Sequence, residues 1–407
     1  MKKRHAIRTV LVVLFGCLGF SALGADPTVS DVVVRQRWPW SRLVDISYVL
    51  DCEDTQKVDV AVAGYSGATP VSLPLNSLSG DLYGVSRGER RLVWDPTKTA
   101  YTNELFTRFS VDITPTAVPV YMIVDLTNAV GTLAHVEYVY PGDSRLETYG
   151  RWTNVWFGVT NSVAYMTDKL VLRYVPAGNY MMGESPGVRP VTLTRACYAG
   201  VFELTEAQWN RIMQITPYTS TLPKTGVTYN QIRGATNTAP PVNWHTTGSY
   251  ASPTSCVGRL RAKTGIDFDL PTEAQWQYLC RAGTTSYFSD GVSVSATETN
   301  ILNELAWWKG NSGAVSMQHQ VGGKTANAWG LYDMHGNVWE FCLDWHVGSL
   351  GTAAVTDPPG PVSGTARVAC GGTASLTADG CRSASRGSCP PTAADGWIGL
   401  RLVRTLP

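Results

Sequence analysis

Hydrophobic and polar side chains alternate along several stretches of the first third of the chain. Residues 44–49, 58–62 and 109–113 are three such runs, rich in β-branched and aromatic side chains, with glycine and proline between them. A period of two is typical of strands that bury one face. The pattern predicts a small antiparallel β-sandwich within residues 26–118, and nothing in it has the spacing of a catalytic site.

Two stretches in the second half of the chain carry the pattern of a helix start. Thr205 and Thr272 each precede the sequence Glu-Ala-Gln-Trp. Threonine followed three residues later by glutamine is a capping box, in which each side chain bonds the backbone N–H of the other residue. The glutamate between them complements the helix dipole. We therefore expect two short helices that end near Met213 and Cys280.

The N-terminus has the pattern of a secretory signal. Lys2, Lys3 and Arg4 precede an apolar run at residues 10–20, and the small residues Ala22 and Gly24 follow. The apolar run is short for a membrane-spanning helix and fits a cleaved signal. We expect residues 1–25 to be removed, no membrane span to remain, and the protein to be exported to the periplasm or the extracellular space.

The net charge of the chain argues against nucleic-acid binding, and its length and composition bear on the fold. At 407 residues the chain exceeds what one hydrophobic core usually organises. The net charge is only +1, so no electrostatic footprint for nucleic acid is present. The 39 glycines and 14 tryptophans favour a loop-rich fold with large aromatic anchors. We expect a connecting segment at 119–168, with a strand at 120–124, and a second domain at 169–407.

The cysteines leave their pairing open. Cys17 leaves with the signal, and eight remain, a number that allows 105 pairings. None is arranged as C-x-x-C and the histidines show no ligand spacing, so a zinc site is not favoured. Each cysteine can be half of a disulfide or a buried thiol. The eight are Cys52, Cys197, Cys256, Cys280, Cys342, Cys370, Cys381 and Cys389.

Eight ordered motifs lie between residues 176 and 401, at 176–183, 202–209, 241–244, 270–283, 327–340, 371–373, 381–386 and 399–401. Together they resemble the motifs of the formylglycine-generating enzyme (sulfatase-modifying factor) family. Their order is specific, whereas any one alone would be weak. The resemblance implies an α+β fold, the formylglycine-generating-enzyme variant of the C-type-lectin fold, with short helices and a twisted antiparallel sheet.

The resemblance also implies a structural calcium ion. In this family the segment Gly-Asn-Val-Trp-Glu holds the ion, and the matching positions here are the carboxylates of Asp333 and Glu340 and the carbonyls of Gly336 and Val338. Hard oxygen donors from one tight turn suit calcium. The alternative is that the two carboxylates accept hydrogen bonds from backbone N–H groups in a buried turn.

The family's catalytic cysteines are matched only in part. Its enzymes oxidise a sulfatase cysteine to formylglycine with two cysteines that bind copper(I), for which thiolates are suitable ligands. Counted from the glycines at 371–372, Leu376 stands in the first cysteine position and Cys381 in the second. Counted back from Arg386, Cys381 instead matches the cysteine of the family's Cys-Arg-x-Ala segment, which occurs in members without the pair.

Two functions follow from these motifs. We expect a non-catalytic module that binds a protein or glycan ligand with the polar segment 374–397, which some bacterial and phage relatives diversify. The alternative is a copper-dependent oxidase with Cys381 in its site and a sulfatase as its partner.

An iron-dependent sulfoxide synthase is disfavoured because only His135 precedes residue 200 in the mature chain. A hydrolase is disfavoured because Asp344 and His346 form an isolated pair.

Overall fold

The computed structural model describes residues 27–406 with gaps. The expected signal at 1–25 and the motif at 241–244 lie outside the described residues, as do the side chains of 116–117, 148–149 and 152–153. The gaps are 38–39, 53–57, 74–76, 83–84, 100, 102–103, 105, 107, 130, 141–142, 150–151, 235–250, 294, 296–298 and 314–316.

Two antiparallel sheets form the N-terminal part. One has the strand order β1-β2-β6-β5 and the other β4-β3-β7. The three alternating runs seen in the sequence are confirmed as β2, β3 and β7. The strands are β1 Thr28–Gln36, β2 Val44–Asp51, β3 Val58–Ser66, β4 Thr69–Val71, β5 Leu78–Gly80, β6 Gly88–Trp94 and β7 Phe109–Ala117.

Strand β2 shows why these residues form a sheet. Val44, Ile46, Tyr48 and Leu50 are buried, and the residues between them are half-buried or exposed, as the period of two requires. Their buried faces pack on Trp94, which is itself fully buried. The N-terminal part thus has its own hydrophobic core.

The second half of the chain is built on three further sheets and a two-stranded pair. The larger two have the orders β21-β15-β12-β8-β9 and β19-β18-β16-β20, and the third has the order β13-β14-β17. The strands are β8 Tyr121–Asp125, β9 Val136–Val139, β10 Glu147–Tyr149, β11 Trp152–Val155, β12 Lys169–Val175, β13 Gly178–Met182, β14 Arg189–Leu193, β15 Cys197–Gly200, β16 Trp339–Trp345, β17 Val355–Thr356, β18 Arg367–Cys370, β19 Arg386–Cys389, β20 Ile398–Gly399 and β21 Val403–Thr405.

The segment 119–168 takes part in this architecture. The strand expected at 120–124 is observed as β8, which pairs with β12 on one side and β9 on the other. Its residues 122–124 are almost completely buried. The strands that frame the second half of the chain therefore begin well before residue 169.

The helices are few and short. Both expected capping boxes are confirmed, at α2 and α5, and a third precedes α3. Helix α2 ends at Met213, as expected, and α5 ends one residue after Cys280. The helices are α1 Ala164–Thr167, α2 Glu206–Met213, α3 Tyr229–Ile232, α4 Cys256–Thr264, α5 Glu273–Arg281 and α6 Thr299–Leu305.

The described chain is thus a mixed α/β structure, mostly strands with few helices. Within the described ranges, none of its helices is both long and apolar enough to cross a bilayer.

Candidate functional site

A tight turn at residues 333–337 leads into β16 and carries two of the four predicted metal ligands, Asp333 and Gly336. Asp333, Gly336 and Asn337 all have left-handed backbone conformations, with φ of 57°, 73° and 54°. A Cβ atom at Gly336 would collide with the carbonyl oxygen of Trp307, which accepts the N–H of Asn337 at 2.8 Å. Glycine is therefore required where the turn passes beneath Trp307.

Glu340 follows this turn and forms a fully buried ion pair with Arg401. Both side chains are 0% exposed, and the Arg401 Nη2 atom donates to Glu340 Oε1 at 2.7 Å. Trp276 Nε1 donates to Glu340 Oε2 at 2.6 Å. Arg401 Nε also donates to Glu340, and Nη1 and Nη2 donate to the carbonyl oxygens of Gly200 and Tyr332, each at 2.8 Å. The pair is thus satisfied entirely within the protein, as a buried ion pair must be.

Two further carboxyl groups lie beside this pair. Glu203 accepts hydrogen bonds from Asn337 Nδ2 at 2.7 Å and from the Val338 N–H at 3.2 Å. Burial, together with the nearby Asp333 and Glu340 carboxylates, raises the pKa of Glu203 well above its usual value. Burial likewise raises the pKa of Asp333 to about 6. Three carboxyl groups therefore lie around one guanidinium, and burial opposes the ionisation of Glu203 and Asp333.

These residues fit the predicted calcium ion only in part. Asp333 Oδ2 accepts the Gly322 N–H at 2.6 Å, and Asp333 Oδ1 is buried without a hydrogen-bond partner among the described residues. That oxygen suits a cation. Glu340 does not suit one, because Arg401 and Trp276 together make four contacts with its two oxygens, which is about the capacity of a carboxylate.

The described ranges contain no group of three or more His, Cys, Asp or Glu side chains arranged to hold a metal ion. The predicted set is of another kind, since Gly336 and Val338 would contribute carbonyl oxygens. Calcium at Asp333, Gly336, Val338 and Glu340 therefore stays a prediction, with Asp333 as its free charged ligand.

His335, in the same turn, fixes the backbone of Cys381. The Ser289 N–H donates to His335 Nε2 at 3.1 Å, so Nδ1 carries the proton and donates to the Cys381 carbonyl oxygen at 2.8 Å. Burial lowers the pKa of His335 to about 4, and the ring is neutral at neutral pH. Cys280 Sγ lies 3.8 Å from Nε2, but burial raises the pKa of this thiol to about 12. The contact is therefore not an activated thiolate–imidazolium pair.

Cys381 itself is surrounded by apolar side chains. It is fully buried, its Sγ lies 3.7 Å from the Thr373 carbonyl oxygen, and burial raises its pKa to about 12. None of the described sulfur–sulfur contacts joins it to another cysteine. Leu376, in the first cysteine position of the family signature, packs against the same apolar cluster. The buried members of that cluster are Phe288, Leu302, Leu305, Ala306, Ala378 and Cys381.

The segment 374–397 has a fixed backbone and an exposed outer side. Its carbonyl oxygens at Leu376, Pro391 and Asp395 accept N–H groups from Lys309, Asn230 and Gly226, at 2.9 to 3.1 Å. The side chains that face solvent along it are Thr377, Asp379, Ser388, Pro390, Thr392 and Ala394. We call these six residues the display surface. Loops with a fixed backbone and free side chains are common binding surfaces.

The structure thus brings Asp333 and Glu340 together and links their turn to Cys381 through His335. Glu203, Arg401 and His335 were not predicted as site residues. Glu203 lies within the motif at 202–209 and Arg401 within the motif at 399–401. Their position in these motifs is the sequence feature that could have indicated them as site residues. Their partners come from distant parts of the chain, so no local spacing indicates the contacts.

Known proteins resemble the second half of the chain. The family model described as sulfatase-modifying factor enzyme 1-like domain matches residues 159–406. The formylglycine-generating enzyme of Mus musculus is 32% identical over 143 residues, covering 32% of this chain and 38% of that enzyme. The chaperone protein LppX of Paenibacillus barcinonensis is 24% identical over 230 residues, covering 46% of this chain and 75% of that protein.

One solved structure that the chain matches is Treponema denticola variable protein 1. Its TM-score is 0.46 and its identity 26%, over 58% of this chain and 95% of that chain. This chain spans about two fifths of the length of the mouse enzyme.

Proposed function

The chain belongs to the sulfatase-modifying factor enzyme 1-like family, and from this premise we propose that it is an exported binding protein rather than an oxidase. Its family domain, the formylglycine-generating-enzyme variant of the C-type-lectin fold, presents a protein or glycan ligand site on the display surface. A β-sandwich precedes this domain. Membership of this family does not by itself determine the activity, because one relative is named as an enzyme and another as a chaperone.

The environment of Cys381 is the observation that carries this proposal. Copper(I) is bound by soft sulfur ligands, whereas Cys381 is buried in an apolar cluster and none of the described sulfur–sulfur contacts joins it to a second thiol. Leu376 places a further apolar side chain at the position of the other ligand, and leucine cannot bind a metal. This supports a scaffold that has kept the family's fold without its copper pair.

The display surface supports the binding half of the proposal. Because main-chain hydrogen bonds to Lys309, Asn230 and Gly226 hold its backbone, little conformational entropy is lost when a ligand binds. Its side chains are small, and four of the six are polar, which suits polar contacts with a protein or a glycan. Substitutions at exposed side chains of this kind usually change stability by less than about 0.5 kcal/mol.

An oxidase assay separates the two candidate functions. The purified protein is incubated with dioxygen, copper(I), a reductant and a peptide containing Cys-x-Pro-x-Arg, and the aldehyde is measured by mass spectrometry. We expect no aldehyde above the level of the Cys381→Ala variant. Aldehyde formation that is robust in the natural protein and abolished in Cys381→Ala would establish the copper oxidase instead.

A binding assay tests the display surface directly. The protein is screened on a glycan array and against secreted proteins, and hits are repeated with Thr377→Arg, Ser388→Arg and Thr392→Arg. We expect at least a tenfold loss of affinity in these variants and no change in Thr69→Arg, an exposed control on β4. Equal binding by all four variants would place the ligand site elsewhere and contradict this part of the proposal.

A further inference from the structure

Cys342 in β16 and Cys370 at the end of β18 meet inside the core. Their Sγ atoms lie 3.9 Å apart, and both residues are 0% exposed. Glu340 is paired directly with Cys370 across the two antiparallel strands. Cys342 lies two positions further along, on the same face of β16, so the two cysteines are diagonal neighbours.

This contact differs from those of the other buried cysteines. The sulfur atoms of Cys280, Cys381 and Cys389 lie near the carbonyl oxygens of Met334, Thr373 and Pro390. Among the described sulfur contacts, the one between two thiols is that of Cys342 and Cys370. Two thiols in contact are the immediate precursor of a disulfide.

We infer that Cys342 and Cys370 form a disulfide bond in the mature protein. Each thiol loses one proton and one electron, one S–S bond forms, and a disulfide-containing oxidant takes up the two electrons and two protons to become a dithiol. Disulfides persist in oxidising compartments, so the inference rests on the export in the proposed function and not on its ligand.

Closing the bond requires a small movement of the strands. A disulfide has an S–S length of about 2.05 Å, so the sulfur atoms must approach by about 1.9 Å from their present 3.9 Å. Diagonal neighbours have Cα atoms about 7–8 Å apart, somewhat more than the ~4.4–6.8 Å of disulfides. The register of β16 and β18 breaks between Phe341 and Trp345, and this break can absorb the approach.

The bond must form before the core closes. Both cysteines are 0% exposed in the folded protein, so an oxidant in solution does not reach their sulfur atoms. During folding the two cysteines are still exposed to the oxidant. Once formed, the bond ties β16, which carries Glu340, to β18, which leads through the glycines at 371–372 to the display surface.

The cross-link should stabilise the protein measurably. It closes a loop of about 28 residues, which in the chain-entropy model raises the midpoint of thermal unfolding by roughly 10 °C for a domain of this size. Reduction should lower the midpoint by the same amount.

Thiol mapping tests the inference. The full mature chain is refolded with oxidised and reduced glutathione, denatured in iodoacetamide without further reductant, digested and analysed by mass spectrometry. We expect six of the eight cysteines to be alkylated and a linked peptide pair containing Cys342 and Cys370. Because refolding is done in vitro, the result does not depend on export or on ligand binding.

Variants extend the test to stability. Reductant should lower the unfolding midpoint of the natural protein and of Cys197→Ser, a buried cysteine in the same core cluster. It should leave the midpoint of the Cys342→Ser/Cys370→Ser variant unchanged. Eight alkylated cysteines without reduction, or a bridge from Cys342 or Cys370 to any other cysteine, would overturn the inference, whether or not the variants fold.

Discussion

The side chains of Arg401 and Asp344 are both ionisable and both buried, and the protein accommodates them in opposite ways. The charge of Arg401 is neutralised by Glu340, and its other donors bond two carbonyl oxygens. Asp344 is 5% exposed and accepts the Glu273 N–H at 2.7 Å. Burial and the nearby Glu273 raise its pKa to about 7. One group therefore stays charged because it is paired, and the other is driven towards its neutral form.

Removing Arg401 should leave Glu340 buried without its partner. We expect Arg401→Met to lower the free energy of unfolding by about 3–5 kcal/mol, the usual cost of breaking a buried ion pair. Urea denaturation followed by tryptophan fluorescence measures this. Arg87→Met removes an ion pair whose side chains are 56% and 65% exposed, and should cost less than about 1 kcal/mol. A similar loss in both variants would show that burial of the pair is not what matters.

Asp344 should make the protein less stable as pH rises. Its folded pKa of about 7 lies above the unfolded value, so between about pH 4 and 7 the folded protein holds a proton that the unfolded chain has lost. The contribution of Asp344 to the free energy of unfolding therefore falls as pH rises through that window, and it is constant above it. The full effect is up to about 4 kcal/mol.

The Asp344→Asn variant isolates this effect. Asparagine keeps an oxygen for the Glu273 N–H and does not ionise, so the variant should lose less stability than the natural protein between pH 5 and pH 8. Urea unfolding at both values gives the difference. Asp379→Asn, at a carboxylate whose side chain is 75% exposed, is the control. A pH dependence unchanged by Asp344→Asn would contradict the buried, proton-holding role.

Helices α2, α3 and α5 begin with the same device. Each has threonine at the N-cap and glutamine three residues later, and both reciprocal bonds are present. Helices of four to nine residues are not stable in isolation. Tertiary packing therefore stabilises these helices, and the capping box sets the residue at which each one begins. The box at α3 escaped prediction because one helical turn is too short for an apolar period to show.

Removing the cap of α5 should therefore destabilise the fold without abolishing it. Thr272 is fully buried and its Oγ1 accepts the Gln275 N–H at 3.1 Å. We expect Thr272→Ala to lower the free energy of unfolding by about 1–2 kcal/mol, and Thr272→Ser, which keeps the hydroxyl, by less. Urea denaturation of both variants is the measurement. An equal loss in the two would assign the effect to packing of the methyl group rather than to the cap.

At the scale of the whole molecule, segments that are far apart in the chain meet around the buried guanidinium of Arg401. Glu203 follows β15, Trp276 lies on α5, Glu340 on β16, and Arg401 between β20 and β21. The resulting cluster has three carboxyl groups and one guanidinium. An ion bound there would be released on unfolding, because its ligands are assembled only in the folded chain.

The partial fit of the calcium site predicts weak binding. With Asp333 as the free charged ligand, we expect a Kd near the ~10⁻³ M of calcium sites with few charges. At about 10 mM calcium this adds roughly 1.4 kcal/mol, or about 3–5 °C in the midpoint of thermal unfolding. Calcium titration followed by scanning calorimetry tests it. Asp333→Asn should abolish the shift and Asp379→Asn should retain it, whereas a midpoint independent of calcium would remove the ion from this turn.

The sequence by itself determined the local features of this protein. The strands β2, β3 and β7, the caps of α2 and α5, and the family of the second half all follow from neighbouring residues or from ordered motifs. These predictions succeeded because period, capping and motif order are properties of short stretches, which tertiary packing here left in place.

Only the tertiary structure decided how side chains far apart in the chain meet. Glu340 matches a calcium-ligand position by sequence, but Arg401, about 60 residues later, saturates its oxygens. Cys381 matches a catalytic position by one count, but the apolar cluster that buries it comes from residues 288–306 as well as from its own loop. The protonation and partners of a buried group depend on its surroundings in space, which residue spacing along the chain does not contain.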